Sequence, residues 1–148
     1  MDYTTCVIIP SVGNSIELGF ALDSLLAQEK PLDEIIVVGP TNDLARQVAQ
    51  ERKIRYIDDQ GAKTRADACN VAIRESDSDI ILFTDDDVIA PADWSKLILR
   101  WFSRDDVAGV GGPNYAPVNE SSLWQKVIDV TFCSCLLYTS DAADDPTC

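Results

Sequence analysis

The stretch Ile80-Ile81-Leu82-Phe83-Thr84-Asp85-Asp86-Asp87 decides how this 148-residue chain folds. Its apolar part is short, β-branched and aromatic, which predicts a buried strand. Three carboxylates follow almost at once, and two carboxylates about 6 Å apart repel each other by roughly 3 kcal/mol at an effective dielectric constant near 20. A divalent cation offsets such repulsion, and Mg²⁺ is often shared between carboxylates and substrate phosphates. The stretch favours a metal site with a phosphorylated ligand, although three acids in a loop can also simply be solvated.

Apolar strands alternate with helices on both sides of this stretch. The other predicted strands are Thr5–Pro10, Glu34–Val38, Ile54–Ile57 and Val107–Val110. The predicted helices are Ile16–Gln28, Asp43–Arg52, Arg65–Glu75, a helix after Pro91 that runs through Phe102, and Leu123–Phe132. Strands that are apolar throughout and separated by helices predict an α/β fold, with a mostly parallel sheet covered by helices on both faces.

The apolar positions of two helices predict which of their faces are buried. On the first helix they are Ile16, Leu18, Phe20, Leu22, Leu25 and Leu26. On the third helix they are Ala66, Cys69, Ala72 and Ile73. Both sets are expected to face the sheet.

Polar residues and turn residues follow each of the first four strands. They are Pro10-Ser11, Gly39-Pro40-Thr41, Asp58-Asp59 and the acidic triplet. Ligands of open α/β sheets bind beyond the carboxyl ends of the strands. The three aspartates are therefore expected on the ligand-binding edge.

The charge and the missing histidines narrow the possible chemistry. The net charge is −13, from 12 basic and 25 acidic residues, which argues against nucleic-acid binding because that needs basic patches. A phosphate ligand remains possible where a metal ion mediates. Without histidine, the chemistry must come from carboxylates, a metal, or a few lysines and arginines.

The cysteines and the N-terminus give an expectation about location. None of the five cysteines forms a CxxC pair, no basic region follows Met1, and no apolar run approaches the ~18 residues of a membrane span. A cytoplasmic setting is expected. In a full-length protein, a position at the cytoplasmic face of a membrane would come only from a C-terminal part outside this chain.

Several motifs in order resemble the nucleotide-sugar-binding half of family 2 glycosyltransferases. The matching segments are Val7–Ser11, Leu18–Gln28, Glu34–Val38, Gly61–Ile73, Thr84–Asp87 and Gly109–Pro113. Each is weak alone, and their order and spacing carry the resemblance. It implies the GT-A fold, a Rossmann-like architecture, with Thr84–Asp87 similar to the family's D-x-D motif.

The resemblance implies roles for the residues that match. Asp85 would contact the ribose or the sugar of the donor, and Asp87 would hold Mg²⁺ or Mn²⁺ on the diphosphate. Asp86 is counted with the donor-binding residues, although as the middle residue it could be a bystander. Pro10 and Ser11 would face the nucleotide base.

Two further positions carry alternatives. Arg65, like Lys63, would approach the phosphates or the base, or would be a solvated helix start. Gly39 stands where the family usually has an aspartate that contacts the base, which leaves the nucleotide undecided. Asp58 or Asp59 could take over that contact, or could belong to a solvated turn.

The end of the chain departs from the family. Nothing after Pro117 matches the later motif that supplies the carboxylate base, so the fold is expected to be incomplete at the C-terminus. Residues from Cys135 to Asp145 resemble a translated sequencing adapter, the alternative being a native disordered tail. The expected division is a partial GT-A domain over 1–134 and a non-native tail over 135–148.

The resemblance implies a metal-dependent, inverting glycosyltransferase, present here without its catalytic base. It would move a sugar from a UDP- or GDP-sugar to the hydroxyl of a glycan, lipid or protein acceptor. One alternative is a non-catalytic half-domain that binds nucleotide sugars. Another is a haloacid-dehalogenase-type phosphatase, but its motif normally lies on the first strand and has Thr or Val where this chain has Ile89.

Overall fold

The structure is a computed structural model that describes residues 3–13, 16–41, 44–112 and, as backbone only, 137–139. These residues contain six strands and four α-helices. The strands are β1 (Thr5–Pro10), β2 (Glu34–Gly39), β3 (Arg55–Asp58), β4 (Ile80–Phe83), β5 (Val107–Val110) and β6 (Leu137–Thr139). The helices are α1 (Ile16–Leu26), α2 (Leu44–Glu51), α3 (Arg65–Arg74) and α4 (Trp94–Leu99), and a 3-10 helix follows at Arg100–Ser103. The chain divides into two units, Met1–Ser95 and Lys96–Cys148.

The first unit holds a four-stranded parallel sheet in the order β3-β2-β1-β4. The chain moves one way across the sheet from β1 to β3, then crosses back past β2 and β1 to place β4 on the far side. Because such crossovers are almost always right-handed, α1 and α2 belong on one face and α3 on the other. The strand order reverses between β1 and β4, which makes the crevice beyond their carboxyl ends the expected ligand site.

Both faces of the sheet are buried, as expected for a parallel sheet. On the α3 side, Cys6 and Ile8 of β1 and Ile36 and Val38 of β2 pack with Ala68 and Ala72. The alternate residues Val7, Ile9 and Val37 are also buried, and they point to the opposite face because strand side chains alternate. The predicted α/β class and parallel sheet are confirmed.

The buried faces of two helices differ from their predicted faces. On α1 the large buried side chains are Leu18, Leu22 and Leu25, whereas Ile16, Phe20 and Leu26 are more than half exposed. Positions 18, 22 and 25 follow the i, i+4, i+7 spacing of one helix face, and 16 and 20 lie on another.

The third helix shows a similar difference. Its buried residues are Ala68, Val71 and Ala72, while Ala66 and Ile73 are exposed. The prediction for α3 was wrong except at Ala72 and the half-buried Cys69. Alanines bury little area on either face, so they do not mark the inner side of a helix.

In the second unit the 3-10 helix contacts β5, and β5 pairs with β6 in antiparallel fashion. The helix predicted through Phe102 is α-helical only to Leu99, in keeping with the frequent 3-10 turns at helix ends. Strand β6 lies in the segment 135–148, where no strand was predicted. The helix predicted at Leu123–Phe132 lies outside the described residues. Within those residues, no helix has the length and apolarity needed to cross a membrane.

Candidate functional site

The acidic turn Asp85–Asp87 lies at the carboxyl end of β4, beside the carboxyl end of β1. The last β1–β4 ladder pair is Ile8 with Phe83, and the Thr84 amide still donates to the Ile8 carbonyl at 3.4 Å. Beyond that point the Ser11 hydroxyl donates to Asp86 Oδ2 at 2.6 Å. A bond between two strand ends 75 positions apart joins both walls of the crevice.

The N-terminus of α3 adds positive charge to the same crevice. Arg65, its first residue, forms an ion pair with Asp85. Thr64 caps the helix by accepting from the Asp67 amide at 3.1 Å, and Asp67 accepts in return from the Thr64 amide at 3.1 Å. A helix N-terminus attracts anions through its amide groups and its dipole.

Gly39 is the last residue of β2, where β1 and β2 end side by side. The Ser11 amide donates to the Val38 carbonyl at 3.0 Å, which continues the β1–β2 pairing by one residue. A Cβ atom at position 39 would lie 2.3 Å from the Ser11 carbonyl oxygen and 2.8 Å from the Tyr56 hydroxyl. No side chain fits there in this backbone, so the base-contacting aspartate of the family pattern has no place at this position.

The two aspartates after β3 have different surroundings. Asp59 is 8% exposed, and its Oδ1 accepts from the Gly61 amide at 2.9 Å. Asp58 accepts from the Thr41 hydroxyl and from the Gln60 amide, and these hydrogen bonds, that of Thr41 first, lower the pKa of Asp58. Asp59 lines the crevice, and Asp58 is held in the turn outside it.

A cleft of about 390 Å³ is formed from these parts. The predicted site residues that line it are Pro10, Ser11, Arg65, Asp85 and Asp86, together with Lys63 and Asp59. The predicted site residues that do not line it are Gly39, Asp58 and Asp87. Apart from the alternatives Lys63 and Asp59, the structure therefore brings five of the eight predicted site residues to one place. Their ligand roles remain predictions.

The acidic turn is chemically suited to a hard divalent cation. Among the described residues, no three His, Cys, Asp or Glu side chains come together as a metal-ligand group. Such a group is not needed where Mg²⁺ or Mn²⁺ is held by one or two carboxylates and by substrate phosphates. Asp87 is exposed beside the cleft and Asp86 lines it, so carboxylate oxygens are available for that kind of site.

Thr64 is a polar cleft residue that the sequence did not single out. It lines the cleft and caps α3. The signal was present as Thr64-Arg65-Ala66-Asp67, a capping-box pattern directly before a helix. Cys69 lies one turn after Arg65, and burial raises the pKa of its thiol, partly opposed by the nearby Arg65 guanidinium.

Several solved structures share this fold, among them those of a mannosyltransferase and of a glucosyl-3-phosphoglycerate synthase. The mannosyltransferase PcManGT of Pyrobaculum calidifontis, in complex with GDP-Man and Mn²⁺, matches with a TM-score of 0.68 and 22% identity over 79% of this chain and 37% of that chain. Glucosyl-3-phosphoglycerate synthase of Mycobacterium tuberculosis, in complex with UDP, matches with a TM-score of 0.66 and 18% identity over 80% and 47%. S. aureus TarS matches with a TM-score of 0.62 and 19% identity over 81% and 38%.

This chain thus spans less than half of each of these structures, and the likeness confirms the predicted GT-A fold. No curated protein matches the sequence. The model of the family described as glycosyl transferase family 2 matches residues 6–144, which includes most of the segment 135–148. With a cleft at the β1–β4 switch point and a family match over nearly its whole length, the chain belongs to glycosyl transferase family 2.

Proposed function

We propose that this chain is the donor-binding part of a metal-dependent glycosyltransferase that inverts the transferred sugar. The donor is a nucleoside-diphospho-sugar, with UDP and GDP as the candidate nucleotides, and the acceptor is a hydroxyl group. In a single displacement, the acceptor oxygen bonds to the anomeric carbon on the face opposite the departing diphosphate. The family match favours this function over the phosphatase alternative.

One observation carries the proposal: the acidic turn and the N-terminus of α3 meet in one cleft at the β1–β4 switch point. Phosphate oxygens accept hydrogen bonds from guanidinium groups and helix N-terminal amides, which Arg65 and α3 supply. The neighbouring carboxylates supply oxygen ligands for a cation. A site with both kinds of group suits a diphosphate that arrives with a divalent ion.

The charge of the cleft supports the metal requirement. Three aspartates (Asp59, Asp85 and Asp86) and two cations (Lys63 and Arg65) line it, so its formal charge is −1 before any ligand enters. A nucleoside diphosphate adds further negative charge next to these carboxylates. Mg²⁺ or Mn²⁺ offsets the repulsion and, when bound, supplies stabilisation of the charge on the leaving diphosphate.

Five site residues have a proposed task in donor binding. Asp87 holds the ion, and Asp85 binds the ribose or sugar after exchanging its ion pair with Arg65 for donor contacts. Arg65 is then available to the phosphates. Pro10 and Ser11 border the base-binding end of the cleft. None of the described residues is assigned as the base that deprotonates the acceptor.

Calorimetry with UDP-glucose and GDP-mannose, each with and without Mn²⁺, tests the donor site. We expect binding only with Mn²⁺, and Asp87→Ala should weaken it at least tenfold, because loss of an ion ligand costs more than 1.4 kcal/mol. Asp77→Ala is the matched control, since Asp77 is exposed before β4, at the opposite edge of the sheet. A folded protein that binds neither donor, or an Asp87→Ala variant that binds like wild type, contradicts the proposal.

A further inference from the structure

The Ser11–Asp86 hydrogen bond lies where the regular pairing of β1 with β4 has ended. The acidic turn follows the last ladder pair, Ile8 with Phe83, and the hydrogen bond from the Thr84 amide to the Ile8 carbonyl at 3.4 Å. The donated bond is short, at 2.6 Å, and its acceptor is a carboxylate. Hydrogen bonds to ionised acceptors are about twice as strong as neutral ones.

Ser11 is itself fixed in place by the neighbouring strand. The residue is 3% exposed, and its amide donates to the Val38 carbonyl at 3.0 Å. Its carbonyl oxygen faces Gly39 so closely that even a methyl group would collide with it. The Ser11 hydroxyl therefore projects from a rigid backbone, which suits it as an anchor for a less supported turn.

The three carboxylates of the turn have three different surroundings. Asp86 accepts from Ser11, Asp85 pairs with Arg65, and Asp87 is exposed. A turn that must present one carboxylate to an ion and another to a sugar needs a fixed backbone between them. Asp86 lies between them and carries the contact to the rigid strand.

We infer that Ser11 is a positioning residue, whose hydroxyl holds Asp86 and thereby fixes the acidic turn for donor and metal binding. The inference rests on the proposed function for its effect on ligand affinity. The anchoring itself can be measured without any ligand. Ser11 acts through Asp86, so the two residues form one unit whose effects do not add.

Hydrogen exchange followed by mass spectrometry tests the anchoring in the ligand-free protein. Ser11→Ala and Asp86→Ala should each speed amide exchange in 84–90 by about tenfold, the factor that corresponds to one lost charge-assisted bond. Exchange in α1 should not change. Ser103→Ala removes an exposed serine hydroxyl of the second unit and serves as the control. Unchanged exchange at the turn in Ser11→Ala overturns the inference.

Calorimetry with Mn²⁺ plus UDP or GDP tests the consequence for binding. Ser11→Ala and Asp86→Ala should each weaken binding about tenfold, and the double variant should bind no worse than Asp86→Ala alone. Asp86→Asn keeps an oxygen that accepts from Ser11, so it should lose less affinity than Asp86→Ala. Additive losses, or an Asp86→Asn variant as weak as Asp87→Ala, would show that Asp86 is a ligand and overturn the inference. If wild type binds neither nucleotide, the proposed donor site fails, while the exchange experiment still decides the anchoring.

Discussion

Gly39→Ala is the substitution for which the structure gives the sharpest expectation. The added methyl carbon would lie 2.3 Å from the Ser11 carbonyl oxygen and 2.8 Å from the Tyr56 hydroxyl. The first distance is about 0.7 to 1.1 Å short of the 3.0–3.4 Å at which a Cβ contact becomes tolerable. The atom that must give way is backbone, and it belongs to the residue that anchors the acidic turn.

The loss of stability expected for Gly39→Ala follows from the hydrogen bonds that hold the backbone around Ser11 and Gly39. The Ser11 amide donates to Val38 at 3.0 Å, and the Gly39 carbonyl accepts from the Asp59 amide at 2.9 Å. A shift of about 1 Å stretches these bonds as well as the strand packing. Overpacking a tight site costs roughly 1–3 kcal/mol, and we expect about 3 kcal/mol here because the contact is with backbone. With a urea m-value of about 2 kcal/mol/M, the unfolding midpoint falls by about 1.5 M.

Urea unfolding monitored by far-UV circular dichroism measures the change. Gly112→Ala is the matched control, because a Cβ at that glycine meets nothing within 4 Å. Its free energy of unfolding should stay within about 0.5 kcal/mol of wild type. A loss below about 1 kcal/mol for Gly39→Ala, or an equal loss for both variants, refutes the argument that β1 and β2 leave no room at position 39.

Two further predictions concern stability away from the cleft. Gln28 is 7% exposed, donates to two backbone carbonyls and accepts from the amide of the fully buried Ser95 at 2.8 Å. Gln28→Met should therefore lower the free energy of unfolding by about 2–3 kcal/mol. The control is Gln47→Met at an exposed position, which should lower it by less than about 0.5 kcal/mol. Equal losses in urea unfolding would contradict the burial argument. Hydrogen bonds from Thr5, first from its hydroxyl and then from its amide, lower the pKa of Asp33. The stability that this carboxylate contributes is therefore present above its unfolded pKa near 3.9 and is lost as the pH falls through the lower folded pKa. In a pH series of unfolding midpoints, Asp33→Asn should show a shallower acid limb than wild type, and identical limbs would count against the linkage.

Strands β1 to β5 could be predicted because each is a short apolar run that ends at or within two residues of a proline, a glycine or an aspartate, whereas β6 was not predicted. The predicted strand Thr5–Pro10 has the same bounds in the structure, and Ile54–Ile57 moved by one residue to Arg55–Asp58. The order β3-β2-β1-β4 could not be predicted from these runs, because pairing between distant strands leaves no local signal. The predicted buried faces of α1 and α3 were wrong where they depended on small or scattered apolar residues, such as Ala66 and Phe20, which carry little information about the inner side of a helix.

The site was predictable where it depends on a strand end and not where it depends on packing. Asp85 and Asp86 could be placed at the ligand edge because they follow an apolar strand, and both line the cleft. The Arg65–Asp85 ion pair and the Ser11–Asp86 bond join elements that are distant in sequence, so only the fold reveals them. The choice between Asp58 and Asp59 at the cleft wall likewise depended on which of the two the turn after β3 buries.

The position of β1 between β2 and β4 has a consequence for biosynthesis. Its neighbour β2 follows soon in the sequence, but Ser11 and Asp86 are 75 positions apart. At synthesis rates of about 5–20 residues per second, β4 emerges roughly 4 to 15 seconds after β1. For that interval one edge of the central strand stays unpaired on the nascent chain. The two walls of the cleft thus meet only at the last step of sheet assembly, so a chain that binds its donor is one whose first unit has finished folding.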